Sequence, residues 1–275
     1  MQIINYKPIL LALSVFLFVG CKTSKYAATE KIYKQKAKDF GKTISTTPPV
    51  GQLYDSLEAN NQQWVGSVNF GIRKANFVIL HHTAQDSLGQ TIKTFHSTKA
   101  GTSSHYVVSR DGKVVQMVND YLRANHAGAG KWGKDTDLNS SSIGIELDNN
   151  GTTDPWPDAQ INSLIKLLTT LKKKYNIPTA NFIGHSDIAP KRKPDPANFP
   201  WKKLADRGFG YWYDEVLQNP PVDFNPEQAL KLMGYDTSDM KAAIVGFKRH
   251  FIQTDISPKL TPVDILVLYN VYSKY

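Results

Sequence analysis

Asn76-Phe77-Val78-Ile79-Leu80-His81 is an almost unbroken apolar run closed by a histidine. A run this short, without polar alternation, reads as a β-strand covered on both faces. Ser142-Ile143-Gly144-Ile145-Glu146-Leu147 and Ala180-Asn181-Phe182-Ile183-Gly184-His185 have the same character. Between them, Asp158–Tyr175 spaces Ile161, Leu164, Ile165, Leu168, Leu171 and Tyr175 by three and four, the period of an amphipathic helix. Leu88–Thr98 carries a second helical pattern. His105–Ser109 and Lys113–Val118 flank Arg110-Asp111-Gly112, and Asp-Gly suits the type I′ turn of a hairpin. A hairpin implies antiparallel pairing and crossover helices imply parallel pairing. The expected fold is therefore α/β, a central mixed β-sheet flanked by helices, over residues 52–218.

Pro220-Pro221 marks a boundary, and three short helical patterns follow in 222–275. The first begins at Asn225-Pro226, a cap residue followed by proline, and ends at Gly234. The second would bury Met240, Ile244, Phe247 and Phe251, and the third opens on Thr261-Pro262-Val263-Asp264, a capping pattern. So small a unit is at the lower limit for independent folding and is expected to dock on the main body. Upstream, Lys7 precedes an apolar run from Pro8 to Gly20 and then Cys21. That run fits a secretory leader over 1–20 better than a transmembrane helix. The small residue before Cys21 resembles a bacterial lipoprotein signal, with Phe18 in place of the usual leucine. Cleavage would leave Cys21 as an acylated N-terminus, followed to residue 51 by a polar tether with one short helix.

Composition narrows the chemistry. The chain has 275 residues, a net charge of +9 and one cysteine. A single cysteine excludes an internal disulfide framework and any cysteine-cluster metal site, so a bound metal must use histidine and carboxylate. The basic residues are scattered, with no pattern of a nucleic-acid-binding motif, so nucleic acid is not an expected partner. An anionic membrane or cell-wall polymer suits the charge better.

Four features carry potential chemistry: His81-His82 and His185 at strand ends, Glu146 inside an apolar strand, and a turn bearing Lys193 and Asp195. A carboxylate facing an apolar core costs several kcal/mol unless paired, so Glu146 should face a cleft or a partner. Two histidines and an aspartate would give a divalent metal three ligands and leave a position for water, as catalytic zinc sites do. Spacing alone leaves the alternatives open, a backbone-bonded core histidine and a surface Lys–Asp pair, because no compact metal motif is present.

Val78-Ile79-Leu80-His81-His82-Thr83-Ala84, the Ser142–Leu147 strand, and Ile183-Gly184-His185-Ser186-Asp187-Ile188-Ala189-Pro190-Lys191-Arg192-Lys193-Pro194-Asp195-Pro196 together resemble the zinc-dependent N-acetylmuramoyl-L-alanine amidases of the type-2 amidase family. The branch is that of the anhydromuropeptide amidase and its periplasmic lipoprotein relative. Ser104-His105-Tyr106, Arg123–Gly128, Trp132 and Leu138-Asn139 extend the resemblance over roughly residues 76–201.

The resemblance implies zinc held by His81, His185 and Asp195, with Glu146 as general base and Lys193 stabilising the tetrahedral intermediate. His82 is the alternative ligand at its strand end and otherwise lines the cleft. Members with a tyrosine base carry it where this chain has Ser104, which leaves Glu146 in that role. His126 and Arg192 are candidate substrate contacts. Trp132 either stacks on sugar or covers the groove, and His105 reads as structural. Residues 222–275 resemble a small peptidoglycan-binding module, the alternative being a stabilising helical cap. The implied enzyme is a monomer that cuts the bond between N-acetylmuramic acid and L-alanine in peptidoglycan or muropeptides. It would work from a lipid anchor facing the periplasm, at the outer membrane. Rival readings are a non-catalytic peptidoglycan receptor, a toxin or endolysin amidase, and an amidase cutting within the stem peptide.

Overall fold

A computed structural model describes residues 25–46 and 72–275. The leader, Cys21 and the start of the body at residue 52 lie outside the described residues. The chain divides into two compact units, 1–68 and 69–275. In the first, α1 (Ala27–Thr46) is a helix of 20 residues, longer than the short tether helix expected. It contains no proline, and Gln35 donates to Asp39 one turn on at 2.8 Å. Among the described residues, no helix is long and apolar enough to cross a membrane.

The second unit begins with β1 (Phe77–His82), α2 (Leu88–His96), β2 (Tyr106–Val108), β3 (Val114–Gln116), α3 (Leu138–Ser141), β4 (Ser142–Leu147) and α4 (Asp158–Tyr175). It continues through β5 (Phe182–Gly184), α5 (His185–Ile188), α6 (Trp201–Ala205), α7 (Pro226–Met233), α8 (Met240–Phe251) and α9 (Pro262–Tyr272). The sheet order is β3-β2-β4-β1-β5. β1 pairs parallel with β4 and β5, β2 pairs parallel with β4, and among the described strands β2–β3 alone is antiparallel. The mixed α/β sheet read from the sequence is the one found.

Two local readings need correction. The hairpin turn is not type I′, because Gly112 has a positive φ (86°) and Asp111 does not. Instead Gly112 N–H donates to Ser109 O at 2.9 Å, and Ser109 N–H to Lys113 O at 2.9 Å, closing a turn that ends on a left-handed glycine. Glycine is needed there twice over, since a Cβ would also stand 2.7 Å from Ala159 O of α4. At the other end of the sheet, His185 does not close a strand but opens α5. Asp187 drives that change by accepting the Gly184 N–H at 2.7 Å.

Alternation along the strands sorts side chains to two faces. Val78, Leu80, Ile143, Ile145, Leu147 and Phe182 pack with Leu164, Leu168 and Leu171 of α4 in one apolar core. Ile79 and Ile183 face the other way, into a second core with Leu230, Phe247 and Leu268 of the C-terminal helices. The first and third of those helices begin as the sequence suggests, with Asn225 accepting from Gln228 N–H and Thr261 forming a capping box with Asp264, and the second is capped by Asp239, which accepts from Ala242 N–H. They share a core with the sheet, and packing runs unbroken past Pro220-Pro221 within the 69–275 unit.

Candidate metal centre

His81 on β1 is in register with Glu146 on the neighbouring parallel strand β4, which puts both side chains on one face at the carboxyl end of the sheet. His185 opens α5, and Asp195 lies on the loop that follows it. His81 Nδ1 is 2.9 Å from His185 Nδ1 and 3.2 Å from Asp195 Oδ2, and His185 Nδ1 is 3.0 Å from the same oxygen. All three residues are buried.

The surrounding hydrogen bonds decide which ring nitrogens carry protons. Ser142 Oγ donates to Leu138 O and so accepts from His126 Nε2 at 3.2 Å. His126 therefore has a lone pair on Nδ1, which accepts from His81 Nε2–H at 3.0 Å. His185 Nε2–H donates to Ala127 O at 2.9 Å. Both Nδ1 atoms are left with lone pairs aimed at a carboxylate oxygen. Burial first, then His185, lowers the His81 pKa to about 4, against the pull of Asp195, so its ring is neutral near pH 7. Three electron-pair donors in van der Waals contact, with no proton among them, repel one another unless a cation sits between them. The donor set fits a divalent metal, and these three residues form a group able to hold one.

Glu146 stands beside this cluster with a buried Oε2 that has no hydrogen-bond partner among the described residues. Burial first and the charge of Asp195 second push its pKa up to about 8, while the Lys193 ammonium works in the opposite direction. Glu146 thus lies within electrostatic reach of both the Asp195 carboxylate and the Lys193 ammonium.

The remaining sequence candidates find other places. His126, expected to touch substrate, is 9% exposed and sits behind His81, where it fixes that ring through Ser142. Its position explains Gly144 in the middle of β4, since a Cβ there would lie 2.3 Å from His126 Cγ. Trp132, expected at the groove, is 6% exposed and packs edge-on to Tyr235 with ring centroids 4.9 Å apart. Its ring covers Gly234 and cannot stack on a sugar while it does so. The Arg192 guanidinium donates to Ala127 O at 3.0 Å and Ala129 O at 2.7 Å, so it braces the carbonyl that His185 uses. His82 points to the opposite face from His81 and accepts from Ala197 N–H at 3.2 Å. It lies outside the metal cluster, packed beneath Gly151. His105 bridges Gly144 N–H and Leu122 O, both at 3.0 Å, which makes it structural. Sequence reading did not single out Ser142 or Asp187. Gly144 was the available signal for the first, because a glycine inside a strand marks a close approach.

The profile of the N-acetylmuramoyl-L-alanine amidase family matches residues 71–198. The N-acetylmuramoyl-L-alanine amidase AmiD of Escherichia coli K12 is 34% identical over 209 residues, 64% of this chain and 75% of that protein. The 1,6-anhydro-N-acetylmuramyl-L-alanine amidase AmpD of Enterobacter cloacae is 43% identical over 103 residues, 37% of this chain and 54% of its own length. Among solved structures, E. coli AmiD in complex with anhydro-N-acetylmuramic acid-L-Ala-D-gamma-Glu-L-Lys superposes with a TM-score of 0.65 at 28% identity, covering 76% of this chain and 93% of that one. AmpDH3 of Pseudomonas aeruginosa bound to an anhydromuramic pentapeptide gives 0.65 at 27% identity, over 81% and 99%. On this likeness of sequence and fold, the chain belongs to the N-acetylmuramoyl-L-alanine amidases.

Proposed function

We propose that this enzyme hydrolyses the amide between the lactyl group of N-acetylmuramic acid and L-alanine, in peptidoglycan or muropeptides, with zinc held by His81, His185 and Asp195. The observation that carries the reading is the convergence of those three donors beside the unpartnered Glu146 carboxylate. Zinc over other divalent ions rests on the histidine-rich donor set and on what the family resemblance implies. When bound, zinc would acidify a water and polarise the scissile carbonyl.

The chain's own residues do the rest. Glu146 Oε2, free of other partners, takes a proton from the attacking water as the C–O bond forms. The same carboxyl returns the proton to the L-alanine nitrogen as the C–N bond breaks, and the water's second proton follows to that amine, leaving a lactyl carboxylate and an ammonium group on L-alanine. A pKa raised by burial suits a group that must both accept and release a proton near neutrality. Lys193 supplies positive charge where the carbonyl oxygen becomes negative. His126 and Ser142 keep His81 in the tautomer that presents Nδ1 to the site.

The leader-like segment and Cys21 support a lipid anchor in the cell envelope, facing the periplasm, with Lys22 rather than aspartate after the cysteine favouring the outer membrane. Peptidoglycan is then the partner within reach, and the enzyme acts as a monomer. Mass spectrometry of muropeptide products, with and without a chelator, tests the reaction. Stem peptide released with a free N-terminal L-alanine, lost with chelator and restored by zinc, is the expected result. Fragments cut within the stem would make the enzyme a zinc peptidase, and retention on peptidoglycan without cleavage would make the chain a receptor. Loss of acyl labelling in Cys21→Ala tests the anchor.

A further inference from the structure

The His185–Asp195 segment supplies two of the three metal donors and Lys193, yet it contains only one helical turn. Its own bonds are few: Ser186 N–H to Asp195 O at 2.7 Å, and Lys193 N–H to Ala189 O at 2.9 Å among them. Further polar contacts come from beyond Gly234. On α8, Arg249 Nη1 donates to Pro190 O at 2.7 Å and to Lys193 O at 3.1 Å. His250 Nδ1 meets Asp187 Oδ2 at 2.8 Å, and the Tyr235 hydroxyl donates to Asp187 Oδ1 at 2.9 Å. Asp187 in turn holds the Gly184 amide, the residue before His185. All three of Asp187, Tyr235 and His250 are buried. Gly246 lets α8 lie on this segment's backbone, since a Cβ there would be 3.1 Å from Ser186 O. The His250 ring stacks on Trp201 at 3.9 Å, and Trp201 closes the space beside Gly184.

We infer that the C-terminal helices are a platform for the metal-ligand segment, with Arg249, His250 and Tyr235 as positioning residues for His185, Lys193 and Asp195. The inference rests on the zinc-amidase reading and extends it: residues 222–275 complete the site, whatever glycan they also meet. Arg249 acts at both ends of the Pro190–Lys193 turn, so its loss frees the backbone two residues before Asp195. Tyr235 and His250 act through Asp187, which sets the direction in which the chain leaves β5 and hence the aim of the His185 ring. Removing a partner bonded directly to a metal ligand changes affinity or activity by about 10–100-fold, and Arg249 and Tyr235, each one residue further out, belong at the low end of that range.

The test uses the full-length protein and three substitutions: Arg249→Met, Arg249→Lys and Tyr235→Phe. Zinc affinity is read by chelator competition, alongside kcat and KM on a short muropeptide, peptidoglycan pelleting, and thermal unfolding of the metal-free protein. Arg249→Met should weaken zinc binding about 10-fold or more and lower kcat, with KM and pelleting unchanged. Arg249→Lys should recover part of the loss, and Tyr235→Phe should show a smaller effect in the same direction. If Arg249→Met does not fold, Tyr235→Phe decides, because it removes one oxygen only. Wild-type zinc affinity and kcat in the folded variants, or weaker pelleting alone, would overturn the platform. A wild-type protein that neither binds zinc nor cleaves would overturn the zinc-amidase reading itself.

Discussion

Val78 and Leu80 leave β1 toward one side of the sheet, Ile79 and His81 toward the other, and the two sides serve different ends. The first is closed by α4 in an apolar core, edged by the buried Gln160 amide and by the Asp120 carboxylate that accepts from the Tyr106 and Tyr175 hydroxyls. The second carries His81, Glu146, His126 and Ser142 among its apolar residues and is finished by the C-terminal helices. A polar face of this kind stabilises little by burial, and the orphaned Glu146 oxygen works against it. The apolar core on the opposite face offsets part of that cost.

Charge on the polar face gives the largest expected effect. Glu146 has its folded pKa raised to about 8 from 4.5. The folded state therefore holds a proton that the unfolded state has lost, and stability falls as pH rises through that window. At the upper bound the loss is several kcal/mol. His81, lowered to about 4, pulls the opposite way below pH 6.5, so wild-type melting alone is not diagnostic. The difference between Glu146→Gln and wild type, both kept metal-free by chelator, isolates the carboxylate. That difference should grow in favour of the variant from pH 4.5 to 8. A gap that stays constant with pH would show that Glu146 is not held in an apolar setting.

On the apolar face, Leu164→Ala should cost about 2–5 kcal/mol in denaturant unfolding and leave zinc affinity unchanged. Parallel losses in both would mean that the faces are not separable. Gly144→Ala sharpens the contrast from the other side. The added methyl displaces His126 and should weaken zinc about 10–100-fold by chelator competition. Ser142→Ala, which removes the acceptor for His126 and the donor to Leu138 O but adds no bulk, belongs at the low end of that range, near 10-fold. Unchanged affinity in both would break the link between the histidine relay and the metal donors.

The same division governs what could be read from sequence. β4 and α4 match their expected spans residue for residue because hydrophobic period is a local property. The donors His81, His185 and Asp195 were legible through residue type and family resemblance. The contacts that hold His126, Trp132 and Arg192 were not legible because their partners come from elsewhere in the chain: His81, Tyr235, and the Ala127 carbonyl. Sequence shows that a residue is polar or aromatic, but not which way it turns when another segment closes over it. His185 moved from strand to helix for a more local reason, the Asp187 carboxylate bonded to the Gly184 amide.

The most direct measurement is turnover of a muropeptide by Glu146→Gln, with bound zinc counted in the same sample. If Glu146 is the base beside a His–His–Asp zinc site, the variant keeps one zinc per chain and loses about 10²–10⁴-fold in kcat. A zinc-loaded variant that turns over at the wild-type rate would contradict that assignment, and with it the role given to the polar face.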